Sequence, residues 1–119
     1  MSKPHGIIFD LDGTIYRGEQ LIPGARETIE RMRELAHPLV FVTNAIETVA
    51  EHVDKLTRLG VRVSPDEIIT AAVIFVHHLR ATMPNARVFA LADPVLIEQL
   101  APYFQFSENP DEIDVVVAS

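Results

Sequence analysis

Two carboxylates spaced two residues apart, Asp10 and Asp12, are the strongest chemical signal in the chain. They come directly after the apolar run 7–9 and are followed by Gly13. This pattern predicts a buried strand that ends abruptly in a polar turn. An ionised carboxylate in such a strand is costly unless a cation or hydrogen-bond donors meet it. Asp-Gly pairs also cap and turn chains, which is the alternative reading. The fixed spacing after a strand favours a chemical partner for both carboxylates.

A second polar pair, Thr43-Asn44, closes the apolar run 39–42. Taken alone, this pair is equally typical of a turn or a helix N-cap. In open parallel sheets, however, ligands bind outside the carboxyl ends of the strands. Because both polar pairs follow a strand, we expect Asp10, Asp12, Thr43 and Asn44 to converge on one edge of a sheet.

The elements that position these residues alternate between strand and helix patterns. A polar, glycine-containing segment at 17–21 suits a hairpin or flap over the end of the sheet. Helical spacing is found at 25–35, 45–59, 71–83 and 95–100, and strand patterns at 7–10, 39–42, 68–70, 87–91 and 114–118. This alternation predicts an α/β fold with βαβ units, a mainly parallel sheet and helices on both of its faces, in a single domain over 1–119.

Composition limits the possible partners. The chain has 119 residues, no cysteine and a formal net charge of −7. An acidic protein is a poor ligand for nucleic acid or an anionic membrane, so small molecules remain. The first six residues show no cationic region before a long apolar run, which makes the cytoplasm the expected location. If the small molecule is anionic, a cation such as Mg²⁺ must supply local positive potential.

The segment Ile8-Phe9-Asp10-Leu11-Asp12-Gly13-Thr14 resembles the first signature motif of haloacid dehalogenase (HAD) superfamily hydrolases, hhhDxDGT. The continuation at 15–18 and 22–25 is similar to the NagD-like and 4-nitrophenylphosphatase-like branch. The resemblance implies a Rossmann-like three-layer αβα core and a small phosphorylated metabolite as substrate. Thr43 and Asn44 resemble the second motif, whose hydroxyl bonds the transferring phosphoryl group.

The resemblance also implies a mechanism. Asp10 would be the nucleophile that forms an aspartyl-phosphate, and Asp12 the general acid and base. Mg²⁺ would be held by an Asp10 oxygen and the backbone carbonyl of Asp12. Leu11 and Gly13, together with Thr43 and Asn44, would contact the phosphate.

Several features depart from the family pattern. Ala45-Ile46 replaces the usual second Asn and Ser or Thr, and no positions match the later basic and acidic motifs. Those roles are therefore not transferred to Lys55, Arg58, Asp111, Glu112 or Asp114. We expect the chain to be the amino-terminal half of the core, ending where a cap domain would begin.

A non-catalytic alternative follows from this incompleteness. The chain would then be a binding or assembly module that keeps the Asp pair for metal or phosphate. Because the first strand would have an open edge, such a module would self-associate through it.

Overall fold

The fold is described from a computed structural model, which covers residues 3–119. Met1 and Ser2, part of the segment predicted to lack a targeting signal, lie outside the described residues. The strands are β1 (Ile7–Asp10), β2 (Tyr16–Arg17), β3 (Gln20–Leu21), β4 (Leu39–Thr43), β5 (Ile68–Thr70), β6 (Arg87–Leu91), β7 (Gln105–Phe106) and β8 (Val115–Ala118). The helices are α1 (Ala25–Glu34), α2 (Val49–Arg58), α3 (Ala71–Thr82) and α4 (Pro94–Leu100), with a 3₁₀ turn at Pro65–Glu67. The α/β class is confirmed.

The parallel strands are divided between two sheets. One has the order β1-β4-β5 and the other β7-β6-β8, and the pairs in both are parallel. The short antiparallel pair β2–β3 forms the expected hairpin, here called the flap. The first sheet positions the predicted site, because β1 and β4 both end at its carboxyl edge with Asp10 opposite Val42.

Two separate hydrophobic clusters match the two sheets. The first gathers side chains of the flap, α1, α2 and β4 around Ile29, Phe41 and Leu56, each with no exposed surface. The second lies between α3, α4, β6 and β8 around Val88 and Leu100. The radius of gyration is 17.5 Å, whereas a compact chain of this length would have about 13.5 Å. The molecule is therefore elongated, with a first lobe built on the sheet β1-β4-β5 and a second lobe built on the sheet β7-β6-β8. The single domain over 1–119 stays a prediction.

Strand β1 differs from the buried strand that the sequence predicts. Its burial alternates, and Ile8 is 75% exposed. Among the described residues β1 pairs only with β4, so its other edge has no neighbour. The inner face is well packed, because Phe9 stacks on Phe41 with ring centroids 5.7 Å apart. Strand β1 is therefore held by packing on its inner face and by pairing with β4 along one edge.

Helix α2 begins at Val49 rather than at residue 45. Thr48 caps it, accepting the Glu51 N–H on its hydroxyl at 3.2 Å while its own N–H donates to the Glu51 carboxylate at 2.7 Å. This reciprocal capping box satisfies two otherwise unpaired donors and sets the start of the helix. Residues 44–48 consequently remain a loop beside the carboxyl end of β4.

An ion pair fastens α1 to the connection before β5. Arg33 donates to both carboxylate oxygens of Glu67, at 2.7 and 2.9 Å. The N–H and hydroxyl of Ser64 also donate to Glu67, at 2.9 and 3.1 Å. Burial alone would raise the pKa of Glu67, but these hydrogen bonds outweigh it and lower that pKa. The pair holds the first lobe together on the side of β5.

Candidate active site

Asp10 stands at the exposed carboxyl end of β1, where the strand gives way to a tight turn. Its Oδ1 accepts the N–H of Leu11 at 2.8 Å, which orients the carboxylate and leaves Oδ2 without a partner among the described residues. The turn is closed by Ile15 N–H donating to Leu11 O at 2.9 Å and Gly13 N–H donating to Tyr16 O at 2.8 Å. Gly13 has φ +77°, which side-chain-bearing residues rarely adopt. Local sequence thus determines this end of the site.

Asp12 is exposed on the same turn, but it faces a different neighbourhood. It borders a cavity of about 460 Å³ between the flap and α2, which we call the flap cavity. Its backbone carbonyl accepts no hydrogen bond from residues 3–119. Asp12 borders this cavity, whereas Asp10 does not line it.

Thr43 is buried, 3% exposed, at the end of β4, and Asn44 beside it is exposed. The Thr43 hydroxyl accepts the N–H of Ala45 at 3.1 Å, so its own proton remains available to another acceptor. Asp10 and Thr43 end adjacent strands at one edge, as predicted. By the alternation of the pleat they belong to opposite faces of the sheet, so one ligand can contact both only beyond the carboxyl ends of the strands.

The two remaining predicted phosphate contacts have their amides engaged. Leu11 is fully buried, and its N–H is bonded to Asp10. The N–H of Gly13 is bonded to the carbonyl of Tyr16. Phosphate contact through either amide requires these bonds to be exchanged, and the roles of Leu11 and Gly13 stay predictions.

The flap cavity contains residues that the sequence did not single out. Tyr16 is 1% exposed, and the Lys55 ammonium lies 4.0 Å from its ring centroid. Burial, then the negative charges of Asp12 and Glu47, raise the pKa of Tyr16 to about 12. The phenol is consequently neutral throughout the physiological range.

Glu19, at the flap turn, reaches across to helix α2. Its carboxylate lies 3.2 Å from the Arg58 guanidinium and 3.8 Å from the Lys55 ammonium. The two cations of the cavity thus share one carboxylate, which belongs to the flap. The i, i+3 spacing of Lys55 and Arg58 was visible in the sequence, but their common anion was not.

His52 lies on the same side of α2 and is 4% exposed. Its Nε2 atom is buried without a hydrogen-bond partner among the described residues. Burial is the largest effect on the ring and lowers the pKa of His52, outweighing nearby Glu47 and Glu51. The imidazole is therefore held neutral in the wall of the cavity.

The residues present partly fit a Mg²⁺ ion. Asp10 Oδ1 accepts only the Leu11 N–H, so it keeps a lone pair for the ion while Oδ2 stays free, and Asp12 offers a free carbonyl. Both are hard oxygen ligands. Within residues 3–119 no group of three or more metal-ligating side chains occurs. Mg²⁺ commonly keeps several waters and takes one or two carboxylates together with substrate phosphate, so this pair suits part of such a site.

Residues 7–103 match the family model described as haloacid dehalogenase-like hydrolase. The chain belongs to this family. The NagD-like branch is confirmed by a solved structure titled a putative nagD protein, with 31% identity and a TM-score of 0.84 over 98% of this chain and 46% of that one. The fold and family expected from the Asp10–Thr14 motif are thereby confirmed.

Named relatives of this chain are phosphatases. A sugar phosphatase of Bacillus subtilis is 31% identical, covering 98% of this chain and 44% of its own. A glycerol phosphate phosphatase of Mycobacterium tuberculosis, solved in complex with magnesium, has 28% identity and a TM-score of 0.79 over 97% of this chain and 35% of its own. The chain therefore spans about half or less of the length of these relatives. The part of the chain that the structure describes contains no helix with the length and apolarity needed to cross a membrane.

Proposed function

We propose that this hydrolase cleaves phosphate monoesters through an aspartyl-phosphate on Asp10. The observation that carries the proposal is the free Oδ2 of Asp10, presented at the exposed end of β1 by the bond from Leu11 N–H. A carboxylate oriented in this way and open on its other oxygen is suited to attack a phosphorus atom. The names of the relatives support a phosphatase, and the Bacillus subtilis enzyme supports sugar phosphates as the substrate class.

In the first step, Asp10 Oδ2 bonds to phosphorus as the ester P–O bond breaks. Protonated Asp12 delivers its proton to the departing oxygen, so the alcohol leaves neutral. In the second step, Asp12 takes a proton from water, and the resulting hydroxide attacks phosphorus. The bond from phosphorus to Asp10 then breaks, which releases phosphate and restores both residues to their starting states.

Two groups would assist these steps. The free proton of the Thr43 hydroxyl would bond a phosphoryl oxygen, with its other side fixed by Ala45 N–H. A divalent cation, which we propose is Mg²⁺, would be held by Asp10 and the carbonyl of Asp12. Its charge would offset the repulsion between a carboxylate and a phosphate dianion. The magnesium complex of the Mycobacterium tuberculosis relative supports this choice.

The test is phosphate release from 4-nitrophenyl phosphate by the purified chain, with and without Mg²⁺. We expect release that requires Mg²⁺ and is lost in Asp10→Asn. Asp111→Asn is a matched control, because Asp111 is exposed and lies in the second lobe. Equal release by the Asp10 and Asp111 variants would overturn the proposal. The proposal also includes a small-molecule substrate and a cytoplasmic location. It includes no nucleic-acid or membrane partner.

One observation favours the second candidate, a self-associating module. The outer edge of β1 is unpaired among the described residues, and Ile8 beside it is 75% exposed. Unpaired edges with exposed apolar side chains readily pair with another chain. Sedimentation velocity over a range of concentrations would test this, and a constant monomer mass would contradict it.

A further inference from the structure

His52 is a buried polar residue of the first lobe that the proposed reaction leaves unused. Its side chain lines the flap cavity, yet its Nε2 has no partner. A buried polar atom without a hydrogen bond destabilises the folded state, because its interaction with water is lost and not replaced. Because this atom lies in the wall of a cavity that Asp12 also lines, we expect a ligand in the cavity to supply the missing hydrogen bond.

The charges around the cavity indicate what that ligand carries. Lys55 and Arg58 share the single carboxylate of Glu19. Asp12 and Asp54 also line the cavity, so its carboxylates outnumber its two cations. Further carboxylates of Glu47 and Glu51 line the same wall. Carboxylate oxygens and a neutral imidazole both form hydrogen bonds with hydroxyl groups. The carboxylates also repel a further carboxylate or phosphate on the leaving group.

We propose that the flap cavity receives the leaving group of the phosphate ester and that His52 Nε2 hydrogen-bonds one of its hydroxyls. The inference rests on the proposed function, since Asp12 would connect the cavity to the breaking P–O bond. His52 then determines specificity, favouring an uncharged hydroxylated leaving group over one without hydroxyls or with a second negative charge.

Access to Nε2 requires the side chains that cover it to move. The flap is joined to α2 beside His52 by the ion pairs of Glu19, whose own side chain is 68% exposed. Exposed ion pairs of this kind contribute little to stability and separate easily. In this proposal, movement of the flap away from α2 widens the cavity whose wall includes His52.

The first experiment compares kcat/KM for ribose 5-phosphate with that for 4-nitrophenyl phosphate, whose leaving group lacks a further hydroxyl. We expect His52→Phe to lower the ratio of the two values by about 3- to 10-fold, the effect of losing one hydrogen bond. His52→Gln, whose amide nitrogen can occupy the place of Nε2, should restore most of the ratio. His77→Gln, on the exposed side of α3, is the matched control. An unchanged ratio in His52→Phe would overturn the inference.

A binding measurement separates failure of the inference from failure of the proposed function. In Asp10→Asn, the ¹⁵N resonance of His52 Nε2 is followed while ribose 5-phosphate or inorganic phosphate is added with Mg²⁺. We expect it to shift with ribose 5-phosphate alone. A shift with neither probe would refute the His52 contact even if the wild-type chain hydrolyses 4-nitrophenyl phosphate. A shift with ribose 5-phosphate alone in Asp10→Asn, together with no hydrolysis by the wild-type chain, would support the contact and refute the reaction.

Discussion

Replacing Thr43 by valine removes a single oxygen from the proposed phosphate contact. Valine keeps the branched shape of this 3% exposed side chain. The lost hydroxyl leaves Ala45 N–H without its 3.1 Å partner, which we expect to cost about 1 kcal/mol of unfolding free energy. Loss of a donor to the phosphoryl group in the transition state should lower kcat/KM about 100-fold, equivalent to about 2.7 kcal/mol.

Thr43→Ser provides the matched control. It keeps the hydroxyl but removes one buried methyl group, which costs about 1 kcal/mol. The two variants should therefore have similar urea midpoints and very different rates with 4-nitrophenyl phosphate. If both lose activity to the same extent, the hydroxyl has no special role at Thr43, and the assignment of the phosphate contact fails.

Three further predictions concern stability and assembly. Glu67→Ala should lower the unfolding free energy by roughly 2 kcal/mol through loss of the Arg33 pair. Since the pKa of Glu67 is lowered in the folded chain, this contribution is present above the unfolded carboxyl pKa and is lost as the pH falls through the folded value. If Glu67→Ala lowers the unfolding free energy equally in urea melts at pH 7 and at pH 3, this pH dependence is contradicted. Glu19→Gln should change the unfolding free energy by less than about 0.5 kcal/mol, because the pair with Arg58 is exposed; a larger loss in the same melts would show a buried role. If the chain self-associates through β1, Ile8→Lys should yield monomers in sedimentation velocity, whereas unchanged association would place the interface elsewhere.

Local features were the ones that sequence could predict. Strand β4 ends at Thr43 because an unbroken apolar run meets polar residues. The turn after Asp10 follows from Gly13 and its positive φ. The start of α2 could also have been found, since Thr48 and Glu51 have the spacing of a capping box. Helical periodicity alone extended that helix too far, because it does not identify the first capped residue.

Short strands, and the sheet to which each strand belongs, were harder to predict from the sequence. Strand β7 consists of two residues and exists through its pairing with β6, so no local pattern identifies it. The division of the strands into two sheets likewise depends on which edges pair. Alternating strands and helices predict parallel pairing but do not specify how many sheets result.

By itself, the sequence determined the acidic turn at Asp10 and Asp12, the polar end of β4 and the family to which they belong. These depend on backbone preferences and on neighbours within a few residues. Only the tertiary structure decided that Glu19 meets Lys55 and that His52 is buried without a partner. A helical pattern shows which residues share a face, but the residues packed opposite that face come from distant parts of the chain.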